Sequence, residues 1–91
     1  MPTREDFETA LNEVLDDSQE SGLRYRDVSA GELHRLVGGY PGRSHRMPVA
    51  CSVLRRGMRD GDAVLCSPPM GNGAMLKVRF LLPRQLARSA A

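Results

Sequence analysis

No apolar run in this 91-residue chain approaches the roughly 20 residues that a bilayer-spanning helix requires. The N-terminus opens on Arg4, Glu5 and Asp6, where a signal peptide would carry its apolar core, so the expected location is the cytoplasm. Cysteine is scarce. Cys51 and Cys66 stand alone, outside any CxxC pair, and are expected to be free, buried thiols. Histidine is equally scarce, and a zinc site would have to recruit His34 and His45 at spacings that match no usual ligand pattern. No metal and no cofactor is expected. The chain also lacks internal repeats, low-complexity tracts and linkers.

These shortages leave little material for catalysis. A nucleophilic mechanism needs Ser or Cys held by a His and a third orienting group, for which Cys51, His34 and His45 are the only candidates. Cys51 falls on an apolar helical stripe, and His34 beside Leu33 reads as a surface or boundary residue. No paired carboxylates flank an evident cleft. The expectation is a protein that is not an enzyme.

An apolar fraction of 41% with 26% charged residues fits one ordinary globular domain of this length. What stands out is where the charge lies. Residues 1–20 carry seven acids against Arg4 alone, a net of −6; residues 21–91 carry twelve bases against four acids, a net of +8. An acidic helix attached to a basic body is expected when the body meets a polyanion and the helix points away from it. Twelve of the thirteen bases are Arg, as a GC-rich bacterial gene would encode, so Arg identity alone carries no weight.

Thr3 followed by Asp6 resembles a capping box, and Phe7, Ala10, Leu11, Val14 and Leu15 recur behind it at helical spacing, predicting a helix over about 4–20 that Gly22 stops. Leu23 to Val28 alternates briefly, as a short strand or an extended connector. Ser29 and Glu32 form an S-x-x-E box that opens a short helix over about 29–37. Gly38-Gly39-Tyr40-Pro41-Gly42 is a tight corner. Beyond it Ser44 is the expected cap of a third helix, about 45–58, with Met47, Cys51, Leu54 and Met58 as its apolar stripe and Pro48 tolerated in its first turn. Asp60-Gly61-Asp62 turns the chain into a hairpin over about 63–82, where Leu76, Val78, Phe80 and Leu82 oppose Met75, Lys77, Arg79 and Leu81. Arg84 to Ala91 reads as a frayed tail. The expected fold class is α+β, a small domain of three helices followed by a C-terminal β-hairpin.

That element order resembles the winged helix-turn-helix family, with residues 4–82 covered and no diagnostic motif present. The resemblance implies that the third helix enters the major groove of DNA and that the hairpin is a wing. It implies contacts from Arg43, Ser44, His45 and Arg46 at the start of that helix, from Ser52, Arg55, Arg56 and Arg59 along it, and from Asn72, Lys77 and Arg79 on the wing. Arg suits both guanine edges and phosphates. The corner is longer and richer in glycine than a minimal helix-turn-helix turn. Tyr40 and Pro41, followed by His45 and Arg46, could form a small apolar cup beside cationic donors. Domains that read phosphorothioate-modified DNA present a similar Tyr-Pro surface, although core packing of Tyr40 is the favoured reading. Gly71-Asn72-Gly73 suits a wing tip better than a phosphate loop, because a strand follows it instead of a helix. The expected partner is nucleic acid, DNA before RNA, with no membrane. The competing reading is a protein-interaction module or a homodimer using the same basic face.

Overall fold

In the computed structural model, which describes residues 3–38, 46–67 and 73–83, the first helix α1 (Arg4–Glu20) begins at a complete capping box. Thr3 Oγ1 accepts the Asp6 N–H at 3.2 Å, and Asp6 Oδ2 accepts the Thr3 N–H at 2.9 Å. A cap of this kind stabilises by about 1 kcal/mol. Phe7, Leu11 and Leu15 form the buried side, and the helix ends at Ser21, after which Gly22 takes φ +83° to turn the chain.

β1 (Tyr25–Ser29) corrects the expected architecture. In place of a lone C-terminal hairpin following three helices, β1 lies between α1 and α2 and pairs antiparallel with β3 (Lys77–Leu81). β2 (Ala63–Cys66) takes the other side of β3, so the described strands form one sheet of order β1-β3-β2. Five residues of weak alternation are too few to separate strand from connector. The decision is tertiary: Val28 lies opposite Val78, and both are fully buried. On this sheet Val28, Val78 and Phe80 face the core, while Tyr25, Lys77 and Leu81 are exposed on the opposite face.

α2 (Ala30–Val37) is capped by Ser29, whose Oγ accepts the Glu32 N–H at 3.1 Å. The Glu32 carboxylate does not close the expected reciprocal box. It pairs with Arg26 Nη2 at 2.7 Å instead. His34 is fully buried, which overturns its reading as a surface or boundary residue.

α3 (Met47–Arg56) is shorter than the 45–58 expected. Arg46 occupies its N-cap without a side-chain cap bond; Ser44, the expected cap, lies outside the described residues. At the other end Gly57 closes the helix, and Arg59 donates its N–H to Asp62 Oδ2 at 2.8 Å. Met58 and Arg59 therefore stand beyond the helix, although Met58 still packs against the core. The other oxygen of Asp62 accepts the Leu81 N–H at 2.9 Å, so one carboxylate joins the end of the α3 turn to β3.

The core gathers Phe7, Leu11 and Leu15 of α1, Leu33 of α2, Met47, Cys51 and Leu54 of α3, and Leu76, Val78 and Phe80 around the start and middle of β3. Each such side chain contributes about 1.5–3 kcal/mol when buried. No described helix is long and apolar enough to cross a membrane.

Candidate nucleic-acid interface

α3 offers two sides of different chemistry because its residues sort by helical position. Met47, Ala50, Cys51, Val53 and Leu54 are buried. Ser52, Arg55 and Arg56, at i, i+3 and i+4, lie away from the core with Pro48, and Arg55 and Arg56 are exposed. The expected stripe of Met47, Cys51 and Leu54 is thus the helix's inner side, widened by Ala50 and Val53. Arg46 stands half-buried at the N-cap.

The outward face holds a residue that sequence reasoning missed. Arg4 at the start of α1 brings its guanidinium Nη1 to 3.5 Å from Ser52 Oγ. The two positions are 48 residues apart, and no local pattern links them. Glu8, one turn further along α1, lines a groove of about 270 Å³ with Leu11, Asn12, Val53, Arg56 and Gly57. Glu8, expected at the boundary of α1's outer face, lies in this groove beside Arg56. Arg4 extends the cationic surface, and Glu8 places a carboxylate at its edge.

On the sheet, Lys77 is exposed, whereas Arg79 is engaged. Arg79 Nε and Nη2 grip the two oxygens of Asp27 at 2.8 and 3.1 Å, and its guanidinium carbon lies 4.1 Å from the centre of the Tyr25 ring. That fork hydrogen bond holds the Asp27 carboxyl below its usual value of 3.8 and raises the Arg79 guanidinium above its own. The geometry of Arg79 is that of a cross-strand clamp. Arg43, Ser44, His45 and Asn72, and the Tyr40–Pro41 pair, lie outside the described residues.

Of the groups weighed for catalysis, Cys51 and His34 have other partners. The Cys51 thiol donates to the Gly73 carbonyl at 3.4 Å and accepts the Gly73 N–H at 3.3 Å. His34 Nε2 accepts the Arg46 N–H at 2.6 Å. Among the described residues no three His, Cys, Asp or Glu side chains converge in a metal-binding arrangement. Compared with protein-family models, with curated proteins and with solved structures, the chain matches none.

Proposed function

We propose that this is a winged-helix domain that binds double-stranded DNA through the outward face of α3. The observation that carries the reading is the convergence of Arg4, Ser52, Arg55 and Arg56 on the side of α3 opposite its buried residues. The element order α1-β1-α2-α3-β2-β3, with a β2–β3 hairpin following α3, supports the winged-helix reading. A helix presenting several guanidinium groups to one side suits a duplex groove and its phosphates.

Among the described residues Tyr25 is the one exposed aromatic ring, and so few stacking platforms favour a duplex over a single strand. Readers of single strands lay bases on exposed aromatic rings. Among the described residues Phe7 and Phe80 are buried, and the Tyr25 ring already carries Arg79.

The test compares random-sequence duplex and a single strand of equal length, at low salt, with wild type and Arg55→Glu/Arg56→Glu. The expected result is duplex binding by wild type, with log K falling steeply against log salt, and at least tenfold weaker binding by a folded double mutant. Equal binding by the two proteins, or none by wild type, overturns the reading. Val64 and Leu65, exposed on the edge strand β2, support a protein partner as the second reading, for which binding would be insensitive to salt.

A further inference from the structure

The limb that re-enters from the β2–β3 connection, Gly73 to Leu76, is fastened to both α2 and α3. Helices leave their first amides without intrahelical acceptors. In α2 the Ala30 N–H goes to the Leu76 carbonyl at 2.8 Å, and the Gly31 N–H goes to the Ala74 carbonyl at 3.1 Å. From the other side Cys51, on the buried side of α3, both donates to and accepts from the backbone of Gly73. The approach to α2 is tight at Gly31. A Cβ at position 31 would sit 3.2 Å from Ala74 Cβ and 3.3 Å from Ala74 O.

From this double fastening we infer that Gly31 and Cys51 are positioning residues for nucleic-acid binding: they lock the limb to α2 and α3 so that the hairpin and α3 meet the duplex as one rigid piece. The inference rests on the proposed DNA-binding reading. Neither residue belongs to the outward face carrying Arg55 and Arg56, and Cys51 is fully buried. Their effect on binding comes through geometry alone. A wing free to swing would lose affinity, because ordering it again on the duplex costs conformational entropy. With the limb held, that ordering is already present in the free protein.

The thiol matters here as a small two-way hydrogen-bonding group. It is a weak donor and a weak acceptor, and it uses both capacities on one residue. Serine retains both capacities; alanine retains neither.

The experiment measures amide exchange at Gly73 and Gly31 together with duplex affinity as a function of salt, for wild type, Cys51→Ser, Cys51→Ala and Gly31→Ala. The expected result for Cys51→Ala is at least tenfold faster exchange at Gly73. Both Cys51→Ala and Gly31→Ala should bind duplex about three- to tenfold more weakly, and the salt slope should shrink by about 1 for each phosphate the protein no longer neutralises. Cys51→Ser is expected to keep slow exchange and to bind within about twofold of wild type, which also guards against a failure of Cys51→Ala to fold. Unchanged exchange at Gly73 in Cys51→Ala overturns the inference by itself. So does faster exchange with unaltered affinity and slope, since the fastening is then structural only. A wild type that ignores duplex removes the DNA-binding reading and this inference with it, even where exchange confirms that the limb is held.

Discussion

His34 and Arg46 are joined by a side-chain-to-backbone hydrogen bond of 2.6 Å that fixes where α3 begins. The acceptor is Nε2 of the imidazole. The edge of the same ring meets Phe7 of α1, with centroids 4.9 Å apart and planes at 79°. One buried residue of α2 therefore touches α1 and holds the N-cap of α3. His34→Ala removes this acceptor and leaves a void among the helices, a loss of about 3 kcal/mol. At about 4–8 °C per kcal/mol for a chain of this size, Tm should fall by roughly 12–24 °C. A shift below about 3 °C in thermal unfolding would show that the contact does not hold the helices.

The clamp between Asp27 and Arg79 gives stability a dependence on acid. The Asp27 carboxyl titrates lower in the folded protein than in the unfolded chain, chiefly because of its hydrogen bond from Arg79. Its contribution is therefore fully present above the unfolded value, near 3.8, and disappears as pH falls through the lower folded value. The pair is partly open to solvent, so the expected contribution is small. In urea titrations at pH 6, Asp27→Asn should be slightly less stable than wild type, and the difference should shrink as pH falls below 3.8. A constant difference across that range would disprove the assignment.

Glu8 lies at the edge of the cationic face, in the groove it shares with Arg56. If this face meets phosphates, its carboxylate opposes binding by like-charge repulsion, and Glu8→Gln should tighten duplex binding by about two- to fivefold at low salt. The gain should fade as salt screens it. Weaker binding by Glu8→Gln would mean that this end of α1 makes a favourable contact of its own.

Legibility in the sequence depends on whether a feature is local. The box at Thr3 and Asp6, and the apolar stripes of α1 and α3, are written at spacings of three and four and recur in the structure. β1 is ambiguous because a five-residue strand is defined by its neighbour β3 more than by its own alternation. Burial of His34 has a readable signal in the helical spacing of Ala30, Leu33, His34 and Val37, against which the residue's polarity argues. Arg4 beside Ser52, and Arg79 on Asp27, have none: one pair spans 48 residues and the other 52. The basic character of α3 is legible, but the role of Arg79 as a cross-strand clamp on Asp27 is not.

Gly61 closes the turn between α3 and β2 at φ +93°, a conformation that residues with a Cβ rarely adopt. A Cβ there would also lie 2.7 Å from Leu81 Cδ1. These two penalties differ in how readily they relax. The Leu81 methyl ends a flexible side chain that is 42% exposed and can rotate away, whereas the backbone angle is held on one side by the Asp62 bonds to Arg59 and Leu81. The strain term should therefore dominate, and Gly61→Ala is expected to destabilise by about 1–2 kcal/mol. A double-mutant cycle with Leu81→Ala separates the terms. The coupling should stay under about 0.5 kcal/mol; a coupling near the full cost of Gly61→Ala would mean that the clash with Leu81, and not the backbone, requires glycine at this position.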